Sequence, residues 1–176
     1  MGKPWNNRYH VTCHTYGSWL LGDPRGFRTR HHREHVEGDY KNPPPRGIYE
    51  WRHANSKKLM KRPAVHLDMR QRKRVVELVA QSLLKREIEV VIIAVDSCHM
   101  HLLARFNDHN PRLWVGISKK ESSAYLKREG IGSDGGIWAL RNKCDPVKDR
   151  SHQLNIVHYI AKHAEQDAAI WMIKQK

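Results

Sequence analysis

The chain has 176 residues, enough for one domain around a single buried core, and its 32 Lys and Arg against 18 Asp and Glu give a formal net charge of +14. So large a positive charge opposes compaction by self-repulsion, and its usual reason is a polyanionic partner that releases counterions on binding. Composition therefore favours nucleic acid over other anionic partners, and it disfavours a membrane surface because no basic amphipathic helix with a strongly apolar face is visible.

The first half of the chain predicts one strand followed by a long irregular arm. Residues 9–15 alternate between polar and apolar side chains and are rich in β-formers, which indicates a strand. From about residue 22 to about residue 67 the periodicity is weak, and glycine, proline and basic clusters indicate a long basic arm within a single domain spanning residues 1–176. Short helices are expected within the arm at about residues 28–37 and 52–60.

The second half predicts a helix, a hairpin of two strands, a helix, a strand and a last helix. An N-cap at Asp68, a β-branched run and a tight turn at Asp96 define the first three elements. The six elements span about residues 68–86, 89–95, 98–106, 111–128, 137–144 and 151–173. With the first strand they give the β-α-β-β-α-β order of a ferredoxin-like antiparallel sheet, an α+β fold with an additional C-terminal helix.

Two histidines flank a methionine in the second strand of the hairpin. With 13 histidines in the chain, about one such triplet is expected by chance, so the triplet alone is weak evidence. Strand alternation, however, places His99 and His101 on one face and the apolar Met100 and Leu102 on the other, which should cover the core. Adjacent imidazoles can bind a divalent cation through their ring nitrogens, and a pair of partly solvated histidines is the alternative.

Tyr159 and His163 are four residues apart in the last predicted helix, on one edge of an apolar stripe that includes Ile156 and Ile160. A phenol beside a third metal ligand is the arrangement needed for attack on a metal-held phosphate. A nearby cation would help the phenol, whose ordinary pKa is about 10, to act as a nucleophile. The alternative is a tyrosine that packs at a helix edge.

These motifs, in this order and approximate spacing, resemble the HUH single-tyrosine transposases, which include insertion-sequence transposases and REP-associated tyrosine transposases. The likeness extends from the first strand to about residue 171, with the strand at Gly135–Ala139 as a further match. The arm over residues 22–45 looks more like the REP-associated branch.

The resemblance implies roles for four residues. His99 and His101 would bind Mg²⁺ or Mn²⁺, and Tyr159 would form a 5′-phosphotyrosyl link to single-stranded or hairpin DNA, leaving a free 3′-hydroxyl. His163 stands where the family usually carries Gln or Asn. An imidazole there is a competent third ligand, but it shifts the preference from Mg²⁺ towards Mn²⁺ or softer metals.

Several basic runs could contact DNA phosphates, although each run alone is more often a solvated face. The candidate DNA-binding residues are Arg28, Arg30, Arg33, Lys57, Lys58, Lys61, Arg62, Arg70, Arg72, Lys73 and Arg105.

We therefore expect a metal-dependent single-stranded DNA endonuclease or strand transferase, acting as a monomer or a homodimer. A non-catalytic or domesticated DNA- or RNA-binding protein on the same fold is the alternative, and a metal-binding protein without nucleic-acid function is a third. The cysteines, Cys13, Cys98 and Cys144, form no C-x-x-C pair and predict buried thiols in a reducing compartment. With no signal peptide and no apolar run of membrane-spanning length, a cytoplasmic, nucleoid-associated protein is expected.

Overall fold

A computed structural model of the chain describes residues 4–25, 27, 28, 35, 36 and 47–173. The described strands and helices are β1 (Arg8–Thr15), β2 (Phe27–Arg28), β3 (His35–Val36), α1 (Glu50–Lys58), α2 (Met69–Leu84), β4 (Glu89–Val95), β5 (His99–Arg105), α3 (Pro111–Arg128), β6 (Trp138–Pro146), α4 (Arg150–Ala161) and β7 (Ala169–Met172). They belong to two compact units, one formed by Met1–Tyr16 with Val65–Lys176 and the other by Gly17–Ala64.

The larger unit is built on a five-stranded antiparallel sheet. Its strand order is β6-β1-β5-β4-β7. Without the edge strand β7, the order β6-β1-β5-β4 is compatible with a ferredoxin-like sheet. The α+β class predicted from the sequence is thus confirmed. Strand β5 is central because it pairs with β1 on one side, where Thr12 lies opposite His101, and with β4 on the other.

Helices α2 and α3 cover one face of this sheet. Asp68 is the N-cap of α2, as the sequence predicts, and it forms a capping box with Gln71. The buried stripe of α2 includes Val75 and Val79. This stripe belongs to the same core cluster as Met100 and Leu102 of β5. Each such buried aliphatic side chain contributes about 1.5–3 kcal/mol of transfer free energy. The predicted apolar face of β5 therefore faces the main core.

Helix α4 covers the opposite face through a smaller apolar cluster. Ile156 and Ile160 of α4 pack with Ile92 and Ala94 of β4 and with Leu103 of β5. Because β5 side chains alternate, Leu103 shares its face with His99 and His101. The second cluster therefore fixes α4 beside the imidazole face of the sheet.

The last predicted helix, over about residues 151–173, is wrong in its final third. Helix α4 ends at Ala161 and continues as a 3-10 turn over Lys162–Gln166, after which Asp167 takes a left-handed backbone conformation with φ of 60°. The chain then forms β7, which pairs antiparallel with β4. The reason is tertiary: successive residues of β7 point into opposite apolar clusters, Ala169 into the main core and Ile170 into the smaller one.

The smaller unit contains a short two-stranded sheet and one helix. Phe27 pairs with Val36 and Arg28 with His35, so a helix over residues 28–37 is wrong at each of its described residues. The reason is that Phe27 is buried and packs edge-on against Tyr49, with ring centroids 4.8 Å apart. The helix predicted at about residues 52–60 is confirmed as α1.

The remaining expectations concern the cysteines and membrane-spanning helices. The three cysteines are free thiols, and Cys13 is buried. Within the part of the chain that the structure describes, no helix has the length and apolar character needed to cross a membrane.

Replacing Ile160 with alanine should lower the free energy of unfolding by about 2–5 kcal/mol, because it opens a cavity between α4 and the sheet. Ile160 is fully buried, whereas Leu154 on the same helix is half-exposed. The matched variant Leu154→Ala should change the free energy by no more than about 0.5 kcal/mol. Urea unfolding followed by circular dichroism measures both, and equal losses would contradict the packing of α4.

Candidate metal centre

Three histidines from two separate parts of the larger unit meet on the α4 face of the sheet. His99 and His101 lie on β5, and His163 lies in the 3-10 turn after α4. Their ligand atoms all lie within 4.8 Å of one another. The ring centroid of His101 is 4.7 Å from that of His99 and 4.7 Å from that of His163. These three side chains could hold a metal ion.

Tyr159 of α4 lies beside this cluster. Its hydroxyl lies 3.5 Å from Nε2 of His101, and its ring centroid is 5.1 Å from that of His163. The side chain is half-exposed, whereas Ile156 and Ile160 on the adjoining face of α4 are buried. Packing of these two isoleucines therefore holds the phenol at the cluster while leaving it accessible from solvent.

Burial keeps His101 and His163 in the form that binds metals. Desolvation, with smaller contributions from His99, His10 and His163, lowers the pKa of His101 to about 2. Desolvation and the neighbouring His99 also lower the pKa of His163. Both rings are therefore neutral near pH 7, and a neutral imidazole has a ring nitrogen lone pair to donate to a cation.

The surroundings of Tyr159 keep its phenol protonated. Its partial burial, together with the nearby carboxylate of Asp96, raises its pKa above the ordinary value. At neutral pH the phenol is therefore protonated, and it needs a nearby cation or a base before it can act as a nucleophile. A cation bound by the three imidazoles would lie beside the phenol and could give this help.

A second layer of side chains surrounds the cluster, and sequence reasoning missed it. Nε2 of His10 lies 3.0 Å from Nδ1 of His101, and Oγ1 of Thr12 lies 3.3 Å from the same nitrogen. The signal was present, because polar residues at positions 10 and 12 alternate with Val11 and Cys13. Their partner could not be named without knowing that β1 pairs with β5.

Asp96 supports the other histidine of the strand. Its Oδ2 lies 2.5 Å from Nδ1 of His99, and its Oδ1 accepts hydrogen bonds from the backbone N–H groups of Cys98 and His99, at 2.8 and 2.7 Å. Burial alone would raise the pKa of Asp96, but these hydrogen bonds outweigh it and lower the pKa to about 2. Asp96, Cys98 and His99 also lie close enough to form a metal site, yet both carboxylate oxygens are already engaged.

The candidate DNA-binding residues fall in both units of the structure or outside the described residues. Arg30 and Arg33 lie outside the described residues, as does the side chain of Arg28. In the smaller unit, Lys57, Lys58 and Lys61 are exposed and Arg62 is half-buried.

In the larger unit, Arg70 and Lys73 are exposed on α2, which covers the sheet face opposite the imidazoles. Arg72 instead donates hydrogen bonds to the carbonyl oxygens of Leu67 and Asp167, at 2.9 and 2.8 Å, so its guanidinium has a structural role. Arg105 lies 3.7 Å from the carboxylate of Glu89.

Comparison with protein-family models and with curated proteins returns no match for this chain. The chemistry of the site itself is therefore the basis for inferring what the protein does.

Removing one imidazole should abolish tight metal binding. His101→Ala should weaken Mn²⁺ binding by more than about 100-fold, because even the loss of a residue behind a metal ligand costs about 10–100-fold. Electron paramagnetic resonance of free Mn²⁺ during a titration measures the affinity. The control is His158→Ala, an exposed histidine next to Tyr159 in sequence. Equal affinity in wild type and His101→Ala would contradict the site.

Proposed function

We propose that this protein is a metal-dependent single-stranded DNA endonuclease or strand transferase with Tyr159 as its nucleophile. The observation that carries the proposal is the hydroxyl of Tyr159 lying 3.5 Å from Nε2 of His101, within a cluster of three imidazoles. A tyrosine at a helix edge does not by itself imply a reaction, and neither does a pair of histidines. Their meeting supports nucleophilic attack at a metal-bound group.

The reaction that fits these residues is transfer of a phosphodiester onto the phenol. The oxygen of Tyr159 forms a bond to phosphorus and loses its proton, while the bond from phosphorus to the 3′-oxygen breaks and that oxygen takes up a proton. The products are a 5′-phosphotyrosyl link and a free 3′-hydroxyl, and the reverse reaction joins strands. When bound, the divalent cation supplies charge stabilisation for the phosphate and favours the phenolate.

The positive charge of the protein supports DNA as its substrate. The net charge is +14, and the exposed cations include Lys57 and Lys58 on α1 and Arg70 and Lys73 on α2. We propose that some of these contact the backbone of single-stranded or hairpin DNA, in a monomer or a homodimer associated with the nucleoid. Such contacts give affinity that falls steeply with salt concentration.

The donor set favours Mn²⁺ over Mg²⁺ as the cation. Mg²⁺ prefers oxygen ligands and keeps much of its hydration, whereas imidazole suits later divalent metals. A third imidazole, from His163, therefore lowers the preference of the site for Mg²⁺. An amide at the same position would supply an oxygen.

The nucleophile is tested by trapping a covalent adduct. Wild-type protein incubated with Mn²⁺ and a 3′-labelled single-stranded hairpin should remain attached to the label during denaturing electrophoresis. The yield of this adduct should be at least about 100-fold lower in Tyr159→Phe, because phenylalanine has no nucleophilic oxygen. Tyr125→Phe is the control, since Tyr125 is also a partly exposed helical tyrosine, on α3.

Two outcomes would overturn the proposal: no adduct with any hairpin or divalent metal, or the same adduct yield in Tyr159→Phe. Tight, salt-sensitive hairpin binding without an adduct, unaffected by Tyr159→Phe and by chelation of metal, would establish the alternative of a non-catalytic DNA- or RNA-binding protein instead.

The role of His163 in metal choice is tested by His163→Gln. The amide oxygen should reduce the preference for Mn²⁺ over Mg²⁺ by roughly tenfold, about 1.4 kcal/mol. Isothermal titration calorimetry with each metal gives the two affinities. An unchanged ratio would show that His163 does not bind the cation.

A further inference from the structure

We propose that His10 and Thr12 on β1, and Asp96 between β4 and β5, are positioning residues that hold the ring protons of His101 and His99 on Nδ1. Both Nε2 atoms then become the metal ligands, beside Tyr159. The inference rests on the metal site of the proposed function, but it does not require that the protein cleave DNA.

At His99 a single contact fixes the position of the ring proton. Nδ1 of this ring lies 2.5 Å from Oδ2 of Asp96, and an ionised carboxylate can only accept hydrogen bonds. Nδ1 of His99 must therefore be the protonated donor, and in the neutral ring the lone pair is on Nε2. Asp96 is itself held in place, because its other oxygen accepts from two backbone N–H groups of the same turn.

His101 is held from the neighbouring strand. Two groups of β1, Nε2 of His10 and Oγ1 of Thr12, lie within hydrogen-bonding distance of its Nδ1, at 3.0 and 3.3 Å. Each can accept a hydrogen bond from Nδ1–H, His10 through its ring lone pair and Thr12 through its hydroxyl oxygen. On the other side of the ring, the hydroxyl of Tyr159 lies 3.5 Å from Nε2. A lone pair on Nε2 suits both a cation and the phenolic proton.

The strand register makes the arrangement specific to these positions. Thr12 pairs directly with His101 across β1 and β5, and His10 is the next residue of β1 on the same face. His101 is nearly buried, with 5% of its surface exposed, so water cannot replace these partners freely. Metal-binding histidines are commonly oriented by a hydrogen bond to the second ring nitrogen, which fixes the tautomer.

The first test reads the tautomers directly. Long-range proton–nitrogen correlation spectra of metal-free protein labelled with ¹⁵N-histidine, recorded at alkaline pH, should show Nδ1 and not Nε2 as the protonated nitrogen of His99 and of His101. In Thr12→Val, which removes the hydroxyl at nearly constant volume, and in His10→Ala, the signals of His101 should shift towards a mixture of tautomers. A wild-type His101 protonated on Nε2 would overturn the proposal.

The second test measures Mn²⁺ affinity without DNA. His10→Ala should weaken binding by about 10–100-fold. His10→Gln should restore most of the affinity, because the side-chain oxygen of glutamine can accept the proton of Nδ1. A folded His10→Ala protein that binds Mn²⁺ as tightly as wild type, or a His10→Gln protein as weak as His10→Ala, would contradict the role of His10.

The control for both tests is His158→Ala, an exposed histidine on α4 that should leave tautomers and affinity unchanged. Because neither readout involves a phosphodiester, the two hypotheses fail separately. Correct tautomers and affinities with no covalent adduct would refute the proposed reaction and keep the positioning role.

Discussion

The candidate site depends on the two-residue periodicity of a single central strand. Strand β5 is paired on both sides, so its register is fixed, and its side chains must point alternately to opposite faces. Met100 and Leu102 commit one face to the main core. His99 and His101 are then forced onto the other face. A slip of one residue would turn both imidazoles towards the apolar core and away from their present partners Asp96, His10 and Thr12.

A second constraint brings the remaining groups to that face. The apolar cluster around Ile156, Ile160 and Leu103 fixes α4 against the sheet, and this places Tyr159 and His163 beside the histidine pair. Burial has a chemical consequence as well as an energetic one. It keeps the rings of His101 and His163 neutral and available as ligands. It also keeps the phenol of Tyr159 protonated, so the tyrosine depends on a nearby cation.

Local patterns in the sequence were enough for the strands and helices that carry a strong period, such as α2, β5 and their buried faces. Strand β7 was not predictable in this way, because Ala168 and Trp171 are three residues apart and continue the helical spacing of the apolar stripe on α4. The strand forms because β7 pairs with β4, which lies far away in sequence. The role of His10 was hidden for the same reason, since only the register of β1 against β5 reveals its partner.

The central claim is that three imidazoles form one metal centre beside Tyr159. Electron–nuclear double resonance of Mn²⁺-loaded protein, labelled with ¹⁵N-histidine, counts the histidine nitrogens bound to the ion. The account predicts three coupled nitrogens in wild type and two in His163→Gln. Coupling to no histidine nitrogen, or an unchanged count in His163→Gln, would contradict it.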